Sequence, residues 1–227
     1  MSRDASSYLL PSSSLTFPSS SSLRIAYLVK SALDLDLPRR MQVAFYQVIQ
    51  KISESTGKEL SVADITSSFQ TTYFLATSTP PRFILRSFNL IDTTTPLSTP
   101  NASNPSSDDD SSEDRKKSIV AKVSVDGVVH TIKGDGNGPL SSLIDALSNT
   151  FGIELSVREY SEHAVGQGSS TRAASYVELI SPDIDPKDRS KGFWGVGIDV
   201  DITSSGLRAV LSAASSYVGK KAIEVVN

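Results

Sequence analysis

The stretch Lys133-Gly134-Asp135-Gly136-Asn137-Gly138-Pro139-Leu140 places closely spaced glycines directly before an amphipathic helix. From Leu140 onward, apolar residues recur with the spacing i, i+3, i+4, i+7 and i+11, which defines one face of a 3.6-residue helix. We interpret the glycines as tight turns, because φ > 0 favours glycine. The apolar face of this helix consists of Leu140, Leu143, Ile144, Leu147 and Phe151.

The same arrangement returns further along the chain, at Trp194-Gly195-Val196-Gly197-Ile198-Asp199. The helix that follows has the same apolar spacing, and its apolar face consists of Leu207, Val210, Leu211, Ala214 and Val218. A duplicated strand–glycine turn–helix unit predicts two related halves about a pseudo-twofold axis. The seam between such halves is a natural place for a small ligand.

Strand patterns around these helices complete a domain over residues 118–219. Alternating apolar residues from Ile119 to Val125 predict a half-buried strand, and Asp126-Gly127 is a strong hairpin signal. We predict the element order β-β-α-β-β-β-α, with helices over a mainly antiparallel sheet, and therefore the α+β class. Tyr160 to Thr171 reads as a polar loop, and the last helix is expected to end near Gly219.

The remaining segments separate by composition. Residues 1–22 are serine-rich and predict a disordered lead-in, and residues 23–90 predict a helical subdomain that ends in an extended segment, Phe83 to Leu90. Residues 91–117 are rich in Ser, Thr, Pro and acids and predict a linker, and residues 220–227 form a tail.

Composition excludes several classes of function. A net charge of −3 is too close to balance to suggest a nucleic-acid or membrane-surface partner, and no apolar run is long enough to span a bilayer. The absence of cysteine excludes disulfides and thiolate chemistry. Neither a secretory signal nor a mitochondrial transit peptide is well supported, so the cytoplasm and the mitochondrion both stay open.

Catalytic and metal motifs are not apparent. The two histidines, His130 and His163, are far apart, and neither has a metal-ligand spacing on a predicted helix. A site at Glu162-His163 is conceivable, but we expect His163 to be a structural residue. No serine lies in a nucleophile-elbow sequence. We therefore assign no catalytic residues, no metal ligands and no cofactor.

The first helix start suggests an anion site. Pro139 fits the first helical position, which leaves the N–H groups of Leu140 to Ser142 free to face a carboxylate, aided by the helix dipole. Asp199, at the second turn, is a free acid that could hold an ammonium group. Together these features suit a zwitterionic amino acid with an apolar side chain. The alternative is that the glycines serve structure alone.

Several ordered motifs resemble the C-terminal part of 2-isopropylmalate synthase. The likeness covers roughly residues 23–90, which resemble the helical subdomain after its catalytic barrel, and residues 118–219, which resemble its regulatory domain. The motifs in the second range are Gly134 to Leu140, Tyr160-Ser161-Glu162-His163-Ala164, Gly168 to Leu179, Trp194 to Asp199 and Leu207 to Ala213.

This resemblance implies a function. The family condenses acetyl-CoA with 2-oxoisovalerate in leucine biosynthesis on a metal-dependent (β/α)₈ barrel, which these residues would follow, so we expect no catalysis by this chain alone. The regulatory domain of the family dimerises and binds L-leucine. The implied leucine contacts are Gly136, Asn137, Gly138, Pro139, Leu140, Tyr160, His163, Ala164, Ile198 and Asp199.

The resemblance leaves the partner and the effector open. A homodimer and a heterodimer with a full-length synthase both fit, as does a non-catalytic subunit that serves a separate barrel. A decayed paralogue without a ligand is a further alternative. Related synthases that make citramalate can share this domain and respond to other amino acids, so leucine is a family-based expectation.

Overall fold

The computed structural model describes residues 18–92 and 116–226, apart from 186 and 189. The serine-rich lead-in up to residue 17 and the acidic linker over 93–115 therefore lie outside the described residues. The chain divides into a helical unit, Met1–Thr79, and a second unit, Pro80–Asn227, which we call the αβ unit. None of the helices in the described ranges has the length and hydropathy that a bilayer crossing requires.

The helical unit contains three helices. Helix α1 starts at Pro18, so residues 18–22 of the predicted lead-in are helical. Their serines lack an apolar pattern, which is why the helix was expected only from Leu23. The helices are α1 (Pro18–Leu33), α2 (Arg39–Thr56) and α3 (Val62–Thr72).

Local residues define two helix ends in this unit. Gly57 ends α2 with φ of 62°, the left-handed conformation. Ser61 and Asp64 form a capping box at the start of α3. An aromatic cluster of Phe45 and Phe69, with ring centroids 5.0 Å apart in an edge-to-face arrangement, lies in the core of this unit.

The αβ unit is α+β, as predicted, and consists of two βββα halves. Each half has a three-stranded antiparallel sheet in the order of the sequence, followed by a helix. The first half is β1 (Phe83–Asp92), β2 (Lys117–Val125), β3 (Val128–Gly136) and α4 (Pro139–Phe151). The second half is β4 (Ser156–Val165), β5 (Arg172–Ile180), β6 (Phe193–Asp199) and α5 (Ile202–Val226).

Strand β1 completes the first half. The sequence placed Phe83 to Leu90 at the end of the helical subdomain, but β1 pairs with β2 along its whole length, from Phe83 opposite Val125 to Asp92 opposite Lys117. The duplication is therefore more complete than the predicted order β-β-α-β-β-β-α. The two strands are separated by residues 93–116, and a sequence pattern does not show pairing over such a distance.

The glycines that define the repeat lie in strands, and their interpretation as left-handed turns was wrong. Gly134 and Gly136 belong to β3, and Gly195 and Gly197 belong to β6. None of these four has a positive φ. These glycines allow the helix backbone to approach the strand closely, because the helix of each half lies directly on the glycines of its third strand.

The close approach is the same in both halves. A methyl group added at Gly134 would collide with the backbone of Ser142 and Ala146, and would lie 2.8 Å from Ala146 Cα. A methyl group at Gly197 would collide with the Ser205 carbonyl and lie 2.6 Å from the Ala209 nitrogen. Gly134 precedes Ser142 by as many residues as Gly197 precedes Ser205, so these positions are equivalent in the two halves.

A single apolar core joins the halves. It contains the inner faces of both sheets together with α4 and α5. Leu143, Leu147 and Leu207 are fully buried within it, and burial of a leucine side chain contributes about 1.5–3 kcal/mol. Ser215 of α5 also receives a hydrogen bond of 3.1 Å from the Phe83 N–H of β1.

Two element boundaries differ from the predictions. Strand β4 continues to Val165, whereas Tyr160 to Thr171 was expected to be a loop. Its residues from Tyr160 to Ala164 are mostly polar, so they lack an apolar alternation, yet each pairs in register with β5. Helix α5 continues to Val226, beyond the predicted end near Gly219 and into the predicted tail.

We predict that Gly197→Ala destabilises the protein by about 3 kcal/mol, at the upper end for overpacking, because backbone atoms surround the added methyl group. Urea unfolding measures the change. Gly219→Ala, in α5, is the matched control, since nothing lies within 4 Å of its added methyl group. It should stabilise by up to about 1 kcal/mol through helix propensity. Equal stabilities for both variants would contradict the close-approach explanation.

Candidate functional site at the seam of the two halves

The start of α4 has no side-chain cap. Gly138 is the N-cap residue in an extended conformation, with φ of −168° and ψ of 176°. Its own N–H donates to the Ser141 hydroxyl at 3.0 Å. The Ser142 N–H donates to the Gly138 carbonyl at 3.0 Å. The sequence predicted that this N–H is free, and that prediction was wrong. Pro139 has no N–H, which leaves Leu140 and Ser141 as the first-turn donors for an anion.

The start of α5, at the equivalent position in the second half, has a carboxylate cap. Asp201 stands where Gly138 stands in the first half, and its Oδ2 accepts the Ser204 N–H at 2.7 Å. The hydrogen bonds from Ser204 hold the pKa of Asp201 below its ordinary value of 3.8. The chain thus shows, within its own repeat, a carboxylate bound at this type of helix start.

Open space lies beside Gly138, the N-cap residue of α4. A methyl group added at Gly138 would have nothing within 4 Å. Asn137 precedes it, and the Asn137 Oδ1 lies 2.6 Å from the Ser141 hydroxyl. Gly136 and Pro139 flank these residues, as the last residue of β3 and the first of α4. The five predicted residues from Gly136 to Leu140 therefore form one continuous strand-to-helix connection.

The two halves meet at Gly206, in the second turn of α5. A methyl group added there would lie 3.2 Å from Leu140 Cδ1, 3.6 Å from Tyr160 Oη and 3.8 Å from Tyr160 Cε2. Leu140 comes from α4 and Tyr160 from β4, so three elements converge on one point. Leu140 also packs against the core, and Tyr160 is 41% exposed.

The Tyr160 hydroxyl is held in place at this junction. It donates a hydrogen bond to the Glu162 carboxylate. Partial burial, followed by this bond to Glu162, raises the pKa of Tyr160 to about 12, so its hydroxyl stays protonated at neutral pH. Nearby, the Ser175 and Ser205 hydroxyls are 2.7 Å apart and link β5 to α5. Hydrogen-bonded polar side chains thus lie beside the apolar Leu140 at this part of the seam.

Asp199 is paired rather than free, which corrects the sequence-based interpretation. Its Oδ2 accepts the Arg208 Nε–H at 2.8 Å, and its Oδ1 accepts the Asp201 N–H at 3.2 Å. The Arg208 and Asp199 side chains are 43% and 20% exposed. A partly exposed pair of this kind contributes about 0–1 kcal/mol, so a ligand cation could replace the guanidinium at low cost.

The remaining predicted residues divide between the two faces of the second sheet. Gly195 and Gly197 face α5, and the strand registers place Tyr160, Ala164 and Asp199 on that same face. His163 and Ile198 both pair with Ala174. Each is the direct chain neighbour of a residue that faces α5, so its side chain points to the opposite face of the sheet. The structure does not bring these two together with the others.

The His163 side chain packs against another side chain of the sheet. Its ring stacks on Tyr176, with ring centroids 5.6 Å apart and an interplanar angle of 10°. Glu162 and His163 are consecutive strand residues that point to opposite faces, so they do not converge on one metal ion. Among the residues that the structure describes, no three His, Asp or Glu side chains cluster as a metal site would need.

Three residues at the seam were not singled out from the sequence. The Ser141 hydroxyl accepts the Gly138 N–H beside the start of α4, Asp201 caps the start of α5, and Gly206 lies where the two halves meet. A signal for Asp201 exists, because an acidic residue shortly before an apolar helical pattern is a typical N-cap. A glycine inside a helical pattern, such as Gly206, also indicates a packing or functional reason.

The fold and this seam define a class of protein: a duplicated βββα domain in which one of the two equivalent helix starts has no side-chain cap. Residues 107–218 match the family described as LeuA allosteric (dimerisation) domain. Residues 107–218 therefore belong to that family, and the resemblance drawn from the sequence motifs is confirmed.

Full-length relatives carry the name 2-isopropylmalate synthase. The chain is 40% identical over 197 residues to that of Schizosaccharomyces pombe, covering 84% of this chain and 29% of the relative. It is 34% identical over 196 residues to that of Brucella suis, covering 86% and 31%. It is 32% identical over 193 residues to 2-isopropylmalate synthase 2, mitochondrial, of Saccharomyces cerevisiae, covering 85% and 29%. The chain thus spans less than a third of the length of these relatives.

We predict that Asp201→Ala costs about 1 kcal/mol at pH 7, because it removes the N-cap of α5. Folding lowers the pKa of Asp201, so the ionised carboxylate stabilises the folded state at pH values above its ordinary pKa. This stabilisation is lost as the pH falls through the lowered pKa. Urea midpoints of the variant and the wild type should therefore converge in strong acid.

Gly138→Ala is the control for this experiment, since Gly138 makes no side-chain capping bond. Its effect should be a few tenths of a kcal/mol at each pH. A stability difference between Asp201→Ala and wild type that persists unchanged in acid would show that the carboxylate is not the source of the stabilisation.

Proposed function

We propose that this chain is the effector-binding and dimerising part of a 2-isopropylmalate synthase-like protein, and that L-leucine binds at the start of α4. The observation that carries the proposal is the contrast between the two equivalent helix starts. Asp201 caps α5 with a carboxylate, whereas Gly138 leaves α4 without one. The family description and the names of the relatives support an allosteric role in leucine synthesis.

The carboxylate of leucine takes the place at α4 that Asp201 takes at α5. It accepts hydrogen bonds from the N–H groups of Leu140 and Ser141, and the helix dipole adds about 0.3–1 kcal/mol. Asn137, Gly138 and Pro139 shape the approach to these donors. The absence of a side chain at Gly138 leaves the space for the carboxylate.

The rest of the amino acid is held by the second half. Its ammonium group binds Asp199 and replaces Arg208, whose partly exposed ion pair is inexpensive to break. Its apolar side chain packs between Leu140 and the Tyr160 ring, which already converge at Gly206. Ala164 lies on the same sheet face as Tyr160, whereas His163 and Ile198 support the sheet from the other side.

The proposed role is control of a synthase rather than catalysis by the described residues. Binding of leucine across the seam ties the two halves together, and a dimer transmits this change to the condensation of acetyl-CoA with 2-oxoisovalerate. The dimer partner is a second copy or a full-length synthase. Co-purification with a tagged full-length synthase distinguishes the heterodimer from the homodimer.

We predict that Gly138→Asp abolishes leucine binding, because the new carboxylate caps α4 as Asp201 caps α5 and occupies the ligand's position. The extended backbone at Gly138 accepts any residue, and nothing blocks the new side chain nearby. The cap should raise the free energy of unfolding by a few tenths up to about 1 kcal/mol. Isothermal titration calorimetry with L-leucine and thermal unfolding measure the two effects.

Thr150→Asp is the matched control, since it adds the same charge to α4 at an exposed position away from the helix start. It should bind L-leucine like the wild type, and L-lysine should bind to neither. Unchanged leucine affinity in Gly138→Asp would remove the assignment of this helix start. If the folded wild-type protein does not bind leucine, the proposed effector is wrong.

A further inference from the structure

Gly206 differs from the other buried glycines of the αβ unit. At Gly195 and Gly197 the helix backbone lies so close that an added methyl group has no room. At Gly206 the nearest atoms are side-chain atoms of Leu140 and Tyr160, at 3.2 Å or more. Backbone packing therefore does not require glycine there.

A glycine inside a helix is nonetheless unfavourable. Gly206 lies within α5, where alanine is the best and glycine among the worst helix formers. The position is buried, and the backbone φ is not positive, so its conformation does not require glycine either. What glycine provides at this position is a close approach of the Leu140 and Tyr160 side chains to α5, because an added methyl group would lie only 3.2 Å from Leu140 Cδ1 and would crowd it.

We propose that Gly206 determines the size of the amino-acid side chain that the seam accepts. This inference rests on the proposed function and adds a specificity residue to it. A Cβ at this position would push the Leu140 and Tyr160 side chains toward a ligand held between them, and a branched ligand side chain, such as that of leucine, needs the room that this shift removes. Gly206 thus acts through shape alone, whereas Leu140 and Tyr160 provide the apolar contact.

The walls of this space are held by contacts outside it. The Tyr160 hydroxyl is tied to Glu162, which fixes the direction of its ring. Leu140 packs against the core, and α5 is anchored on Gly195 and Gly197. Because these contacts hold the far sides of the walls, a methyl group added at Gly206 should displace the walls toward the ligand and leave less room for a branched side chain.

The test is Gly206→Ala, with L-leucine and the unbranched, shorter L-2-aminobutyrate titrated by calorimetry. A pocket discriminates one methylene by about 10-fold or more, so we expect leucine affinity to fall about 10-fold while L-2-aminobutyrate binding changes little. Gly219→Ala, in the same helix with nothing near the added methyl group, is the matched control and should keep wild-type affinities.

A second variant covers the case in which Gly206→Ala does not fold. Leu140→Ala enlarges the same space from the opposite wall and should shift selectivity from L-leucine toward L-phenylalanine. Unchanged selectivity in either folded variant would overturn the proposal. Leucine binding by wild type with no effect of Gly206→Ala would leave the effector assignment intact and refute only the specificity role. No leucine binding by wild type would refute both.

Discussion

The fold of the αβ unit depends on helix backbones that lie directly on strand glycines. At Gly134 and Gly197 the equivalent residues of α4 and α5 approach so closely that even a methyl group would collide. This contact sets the depth of each helix on its sheet and the angle at which the chain leaves the third strand. It therefore also positions the two helix starts, and with them every residue of the proposed site.

The proposed function depends on a difference between the two halves. Both halves begin their helix at equivalent positions, but the carboxylate of Asp201 caps the second helix start, whereas Gly138 has no side chain to cap the first. The Asp199–Arg208 pair adds a second asymmetry, since a glycine, Gly136, stands where the first half would need an acid. A symmetric ancestor would offer two equivalent positions, whereas this chain offers one open position with its charges arranged around it.

The sequence predicted the elements whose signals are local. The apolar faces of α4 and α5 and the Asp126-Gly127 hairpin depend on residues a few positions apart, and all are confirmed. The pairing of β1 with β2 depends on residues separated by the linker, so no local pattern shows it. Strand β4 was missed beyond Tyr160 because its residues there are largely polar and form no apolar alternation.

The site was predictable only in part for related reasons. Glycine serves both left-handed turns and close contacts, and the sequence does not distinguish these uses at Gly134 or Gly197. The ion pair between Asp199 and Arg208 joins a strand end to a helix surface, so an acid that looked free from sequence is paired in three dimensions. The division of His163 and Tyr160 between sheet faces depends on the register of β4 against β5, which the loop prediction had excluded.

The central claim is that an amino-acid carboxylate binds the first-turn N–H groups of α4. A titration of ¹⁵N-labelled protein with L-leucine, followed by amide chemical shifts, tests it directly, with L-leucine methyl ester as the ligand that lacks the carboxylate. We expect saturable shifts that are largest at the Leu140 and Ser141 amides with leucine, and not with the ester. Saturable leucine binding that leaves these two amides unchanged, or equal shifts with the ester, would contradict the account.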